Sequence, residues 1–387
     1  MAAVLATTEA WRPDPRDVFD EAMRTVRANF YDRSLRGLPW DAMAAEARAT
    51  LRQEDDEEKV KETVNGLLAR LRASHTELYS DGDQTYWALK SIFSRKLRGA
   101  GVRQVGLWFE RRGEKWFVRN VFAGSSGSNA GVLPGDEVAG VDGEPFEPVR
   151  AFRTLRAALG VRLDIRRKPD LPAEPIHVET RFESFQETML AATRRSFRVI
   201  PRKGRKIAYF HLWSGTHPLF LEALQRAAAE ARKADALVLD LRDGFGGAHP
   251  DYVAPFEDLT AGDSPLPRGH KFRKPLVVLI NGGTRSGKEW VAYLLARAGR
   301  TLVGTRTRGA FLGGRPYTLG GGKYLLYLAV AGAGPEGVDL EGSGVPPDVE
   351  VAFELPYSAG ADPQLERALD LAAEQATGRV SRSFPHR

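Results

Sequence analysis

The chain has 387 residues, of which 42% are hydrophobic and 27% charged. That length exceeds a single hydrophobic core and predicts two or three domains, and the composition excludes long disorder. With 56 basic and 50 acidic residues, the net charge of +6 is mild for a chain this long and does not mark a nucleic-acid binder.

No cysteine is present, which excludes disulfides, thiolate metal sites and a cysteine nucleophile together. The opening "MAAVLATTEAWRPDPRDVF" has no basic stretch followed by an apolar run, and no later segment reaches the roughly 18 apolar residues that a membrane span needs. These features predict a cytoplasmic protein, or an exported one if a leader has been removed.

Residues 15 to about 95 read helical. "DPRDVFDEAMRTVRANF" places apolar residues at 18, 19, 22, 23, 26 and 30, close to a 3.6 period. "EEKVKETVNGLLARLRASHTEL" continues with Val60, Val64, Leu67, Leu68 and Leu71, and stops at "ASHTEL", where Ser and Thr favour a helix end. Between about 100 and 170 the style changes. "VGLWFERRGEKWFVRNVF" predicts two strands around "RRGEK", and "GSSGSNAGVLPGDEVAGVDGEPF" is dense in turn residues. "AFRTLRAALG" predicts a short helix, "VRLDIRRK" a strand, and "KPDLPAEP" an exit linker.

"TRRSFRVIPRKGRK", residues 193 to 206, is the densest basic stretch, with Phe197 its one aromatic. It reads as a solvated loop before a strand. From about 205 onward, strands ("KIAYFHL", "ALVLDLRD", "PLVVLI", "TLVGTRT") alternate with helices ("HPLFLEALQRAAAEARKA", "GKEWVAYLLARAG"). This pattern predicts a largely parallel sheet covered by helices. "PYTLGGGKYLLYLAVAGA" predicts a hairpin and "DPQLERALDLAAEQ" a closing helix.

Three motifs carry chemistry. In "NGGTRSGKE", Gly282, Gly287 and Lys288 match a phosphate-loop spacing, but Glu289 stands where that loop needs a hydroxyl for Mg²⁺. The bland reading of Lys288 is a solvent-facing lysine of the first helical turn. In the same turn, Ser286 is either a helix N-cap or a nucleophile beside the positive helix end, and the turn alone leaves both open. In "LVLDLRDGFGGAHP", Gly244, Gly246 and Gly247 allow close backbone approach, and two N–H donors there could hold an oxyanion, although an ordinary glycine turn reads the same way. In "ASHTEL", Ser74 and His75 offer a base that a serine nucleophile needs, against the reading of a surface loop.

Together these pieces resemble the C-terminal processing (tail-specific) serine peptidase family, in its tricorn-core-like branch. "GSNAGVLPGDEVAGVDGEPF" is similar to the family's PDZ domain, "DLRDGFGG" to its D-x-R-x-N-x-G-G loop and "LINGGTRSGKE" to its N-x-x-T-x-S-x-x-E turn. "LEGSGVPPDVEV" is similar to its E-G-x-G-V-x-P-D tail, and "LLARLRASHTEL" to its L-x-x-S-H-T segment. One departure matters. Where many members carry a base lysine, "GTRTRGAFLGG" has Ala310. Lys288 does not replace it, because i,i+2 side chains on a helix do not face each other; the resemblance leaves it a bystander or a substrate-side contact.

The resemblance implies an α/β fold: a crotonase-like core over 173–387, a PDZ-like β domain over 96–172 and a helical domain over 1–95. It implies a serine peptidase acting on peptides or unfolded C-terminal tails, with no cofactor, no metal and no nucleic-acid or membrane partner, while an oligomer is compatible with it. The tetrad branch matches Ser74, His75, Ser286 and Glu341, with oxyanion donors at Gly287 and at Gly246, which is preferred over Gly247. "VGLWF", with Gly106, Leu107 and Trp108, matches the substrate-binding carboxylate loop and edge strand, where a peptide would add as a strand; a plain antiparallel strand is the alternative. The rival function is a catalytically silent peptide- or ligand-binding scaffold on the same fold.

Overall fold

The computed structural model describes residues 13–94, 96–153, 160–257, 271–332 and 338–378. They fall into two units. The described residues up to Asp81 join Leu312–Gly332, and the described residues of Gly82–Phe311 join those from 338 onward.

The first unit contains α1 (Pro15–Asn29), α2 (Trp40–Ala49), α3 (Glu57–Leu68) and a three-stranded antiparallel sheet. The sheet is formed by β1 (Glu77–Ser80), β15 (Tyr324–Ala331) and β14 (Gly313–Leu319), in that order. Asp14 caps α1 by accepting the Arg16 N–H at 2.8 Å, and Asp56 caps α3 through the Lys59 N–H at 2.9 Å. The apolar periods meet in one core: Val18, Phe19 and Val26 pack with Val60, Val64 and Leu68 around Leu326 and Leu328. Each such side chain contributes about 1.5–3 kcal/mol by leaving water. Residues 77–80 are therefore strand, not helix. Asn65 covers the outer edge of β1, donating to the Leu78 carbonyl at 3.0 Å and accepting its N–H at 2.7 Å.

The second unit begins with α4 (Gln84–Ile92) and β2 (Val102–Gln104), which pairs with β8 (Arg181–Glu183). A five-stranded antiparallel sheet follows in simple order: β3 (Leu107–Arg112), β4 (Lys115–Val121), β5 (Glu137–Val141), β6 (Val161–Arg166) and β7 (Glu174–Val178), with the short helix α5 (Ser126–Asn129). Phe109, Phe146, Phe152 and Leu163 fill its core. The proline-rich "KPDLPAEP" does not leave this sheet. Its flanks pair with each other, Val161 opposite Val178, so it contains the turn of a hairpin. Most of the predicted helix "AFRTLRAALG" lies outside the described residues, and Arg150–Phe152 form a single 3-10 turn.

The remaining sheet has six strands in the order β16 (Val349–Glu350), β13 (Thr301–Gly304), β12 (Leu276–Ile280), β11 (Ala236–Asp240), β10 (Arg205–His211) and β9 (Arg198–Arg202). All pairs are parallel except β9 on β10. Helices α6 (Phe185–Arg195), α7 (Pro218–Ala231), α8 (Gly287–Arg297) and α9 (Pro363–Ala376) complete the unit. Strands β11 and β12 are buried throughout, which explains their unbroken apolar sequence. The basic stretch 193–206 is not a loop: it ends α6 and forms the β9–β10 hairpin. Arg202 pairs with Asp370 at 2.8 Å, Lys203 with Glu374 at 2.8 Å, and Arg198 lies 4.1 Å over the Tyr209 ring. Among the described residues, no helix is long and apolar enough to cross a membrane.

Candidate active site

Parallel strands β10, β11 and β12 bring three turns to one edge of the sheet, outside their carboxyl ends, where open α/β sheets place ligands. These are residues 212–216, 241–247 and 281–286. Thr284 and Asn281 stitch the last two together. Thr284 Oγ1 donates to the Leu241 carbonyl at 2.9 Å, and Asn281 Oδ1 accepts the Asp243 and Gly283 N–H groups at 3.1 and 2.9 Å.

Ser286 begins α8 with φ 56° and ψ −134°. A residue that only caps a helix normally has a β-region backbone. A serine held at positive φ stores about 1–3 kcal/mol of strain, the kind found at functional turns. The 241–247 turn presses against it: a Cβ on Gly246 would stand 2.5 Å from Ser286 Cβ and 3.0 Å from its Oγ. Gly287 is equally constrained, since a Cβ there would stand 2.0 Å from the Ala248 carbonyl oxygen. The second unit thus brings Ser286, Gly287 and the Gly246 backbone together at the amino end of a helix, where partial positive charge favours an anion.

Glu289 and Ala310 explain how this turn is held. The fully buried Glu289 carboxylate accepts from Thr307 Oγ1 (2.6 Å) and the N–H groups of Gly309 (2.6 Å), Ala310 (2.8 Å) and Ser286 (3.0 Å). Burial pushes its carboxyl above the usual range, against the pull of those four donors. The Ser286 N–H also donates to the Ala310 carbonyl at 2.9 Å. One residue further, the Phe311 N–H donates to Glu341 Oε2 at 2.7 Å. The segment around Ala310 thus serves as backbone support for Ser286 and Glu341.

Lys288 is not at the surface. It is 0% exposed, and its Nζ donates to the carbonyls of Leu212 (3.2 Å), Trp213 (3.5 Å), Arg242 (3.5 Å) and Asp243. A lysine committed to backbone carbonyls does not reach a phosphate or a substrate, so the phosphate-loop, solvent-facing and substrate-side readings of Lys288 fail. The sequence gives no sign of this, because lysine is almost never fully buried.

Two further residues of the 241–247 turn are structural. Arg242 bridges Asp240, buried at the end of β11, to Asp362, the N-cap of α9, at 2.7 Å to each. Burial would push the Asp240 carboxyl up, but Arg242 holds it well below the usual range. Asp243 receives Arg119 Nη2 at 2.9 Å and Asn120 Nδ2 at 2.8 Å, both from β4 of the antiparallel sheet.

The carboxylate-loop candidates lie at the start of β3. Gly106 has φ 71°, Leu107 is buried, and the Trp108 ring meets Phe245 of the glycine turn edge-on at 5.8 Å. The outward backbone groups of this edge are occupied. Gln84 Nε2 donates to the Leu107 carbonyl at 2.9 Å, and Gln84 Oε1 accepts the Phe109 N–H at 2.9 Å.

The first unit holds Ser74 and His75. A hydrogen bond of 2.9 Å joins Ser74 Oγ to His75 Nδ1, and the imidazole meets the Tyr327 ring edge-on at 5.1 Å. His75, like Ser286, has a positive φ, 54°.

Comparison with known proteins finds similarity along the chain. Residues 206–351 match peptidase family S41, and residues 12–54 match the tricorn protease C1 domain. A putative tricorn protease homolog 2 of Streptomyces coelicolor is 26% identical over 93% of this chain, which spans only 32% of that relative's length. The chloroplastic carboxyl-terminal-processing peptidase 2 of Arabidopsis thaliana is 26% identical over 88% of this chain and 69% of its own. The solved photosystem II D1 C-terminal processing protease shares the fold, with a TM-score of 0.53 at 20% identity over 96% of this chain and 99% of that one. Residues 206–351 of the chain thus resemble peptidase family S41, and the chain as a whole is similar to the tricorn and carboxyl-terminal-processing proteases.

Proposed function

We propose that the chain is an endopeptidase that cuts peptides or the C-terminal tails of proteins, with Ser286 as nucleophile in a tetrad with His75, Ser74 and Glu341. In this reading the α/β unit is a crotonase-like core, and the five-stranded sheet is a PDZ-like module. His75, oriented through Nδ1 by Ser74, takes the Ser286 proton as the hydroxyl attacks the scissile carbonyl, and returns it to the leaving amine. Ser74 and Glu341 orient the imidazole and stabilise its cation. The N–H groups of Gly287 and Gly246 receive the oxyanion, and water then releases the acyl group from Ser286.

The observation that carries this reading is the strained backbone of Ser286 with the Gly246 backbone against its side chain. The test is covalent labelling by a serine-reactive fluorophosphonate together with hydrolysis of an unstructured peptide. Wild type reacts and cuts; Ser286→Ala and His75→Ala do neither while keeping a native circular dichroism spectrum. Undiminished hydrolysis by Ser286→Ala overturns the assignment.

A further inference from the structure

Among the described residues, Lys288 is the most deeply buried cationic group outside the proposed reaction. It projects from the first turn of α8, two residues after Ser286, into a cage built wholly of backbone carbonyls. Two of these belong to the turn after β10, Leu212 and Trp213, and two to the turn after β11, Arg242 and Asp243. The same two turns are joined to each other: the Phe245 N–H donates to the Trp213 carbonyl at 2.9 Å, and the Gly215 N–H to the Gly246 carbonyl at 2.8 Å. These two bonds, which help to place the Gly246 peptide, therefore join backbone segments that Lys288 grips.

We propose that Lys288 is a positioning residue whose ammonium ties the nucleophile helix to the turns that present the Gly246 N–H to the oxyanion. The proposal rests on Ser286 being the nucleophile. Four carbonyl oxygens surround one nitrogen, and only the protonated form supplies three hydrogens to them; a neutral amine would turn a lone pair toward an acceptor. The charge has no carboxylate partner within ion-pair distance among the described residues. Asp240 is turned to Arg242 and Asp243 to Arg119.

The groups facing the cage are His211 at the end of β10, Asp240, Arg242 and Asp243 around β11, and Arg285 before α8. Burial pulls the Lys288 ammonium down to about 7, which Asp243 and Asp240 oppose and Arg285 reinforces. Burial also lowers His211, against Asp240, and the Lys288 charge adds to that. The tie is thus complete below neutral pH, partly released near pH 7 and lost as pH rises further.

The experiment follows acylation of Ser286 by a fluorophosphonate, and kcat and KM on a peptide, from pH 6 to 9.5 for wild type, Lys288→Gln and Lys288→Met. Misplacing a catalytic group by about 1 Å costs on the order of 100-fold. The expected result is a loss of about that size in kcat for Lys288→Met, with KM little changed. Wild type shows a falling alkaline limb in kcat. Lys288→Gln, a neutral donor, is slower than wild type at pH 7 and lacks that limb.

Wild-type kcat in Lys288→Met, or an alkaline limb that persists in Lys288→Gln, overturns the positioning role. If both variants fail to fold, the wild-type profile decides, and a flat alkaline side overturns it. Failure of the nucleophile assignment looks different: wild type is then not labelled at all, or Ser286→Ala is labelled like wild type.

Discussion

Arg119 on β4 and Asp243 in the glycine turn form a largely buried ion pair, Nη2 to Oδ1 at 2.9 Å, which fastens the antiparallel sheet to the loop carrying Gly246. Arg119→Ala removes a charged hydrogen-bond donor and leaves Asp243 with Asn120 and Asn281. The expected loss is about 1–3 kcal/mol in chemical denaturation at pH 7. Burial pushes the Asp243 carboxyl up, but Arg119 overrules it and holds the group below the ordinary range. A depressed carboxyl contributes stability above its unfolded value, near 3.9, and loses it as pH falls through the folded value. The stability gap between wild type and Arg119→Ala therefore narrows on acidification.

Gln84 occupies the β3 edge as a neighbouring strand would, with one donor and one acceptor. In Gln84→Ala, the Leu107 carbonyl and the Phe109 N–H lose their partners inside the protein, at a cost of about 1–3 kcal/mol if they stay dry. The same change opens the edge to strand addition. A peptide with a free C-terminus should bind Gln84→Ala more tightly than wild type in calorimetric titration, while thermal stability falls. Equal affinities would mean that peptides do not enter at this edge.

The alternation of strands and helices after residue 205 was legible because buried parallel strands are short apolar runs closed by glycine turns, as in "LVLD" and "VVLI". The pairing of residues 77–80 with the distant 324–331 strand was not, since neither segment carries a signal naming its partner. "KPDLPAEP" read as a linker because prolines mark hairpin turns and linkers alike. At the site, the turn by itself left Ser286 open between cap and nucleophile, only the resemblance favoured the nucleophile, and the positive φ that bears on the choice is visible only in three dimensions. Lys288 and Gln84 were hidden for one shared reason: both bind backbone groups, which have no side-chain signature, and each residue type is ordinarily exposed.

Glu289 faces four donors and supplies only acceptors, so an isosteric amide does not substitute. Glu289→Gln turns an NH₂ group toward at least one backbone N–H of Ser286, Gly309 or Ala310. The expected cost is about 1–3 kcal/mol, with kcat falling because the Ser286 turn loses its support. The raised carboxyl has a sign of its own. Its contribution to stability is fully present below the unfolded value and is lost as pH rises through the folded one. Wild-type stability should therefore carry a declining component above the usual glutamate range, which denaturation of Glu289→Gln across pH would show to be absent.

The backbone of Ser286 makes one prediction independent of activity. At φ 56° and ψ −134° the Cβ is the source of strain, so Ser286→Ala keeps the strain and Ser286→Gly releases it. The release is worth about 1–3 kcal/mol. Against it stands the greater freedom of glycine in the unfolded chain, about 0.4–1 kcal/mol. The difference leaves Ser286→Gly more stable than Ser286→Ala by about 1 kcal/mol, although neither is labelled by a fluorophosphonate. Chemical denaturation of the two variants side by side measures this directly. If the glycine variant were the less stable, the turn would be an unstrained one, and the positive φ would no longer distinguish a nucleophile from a cap.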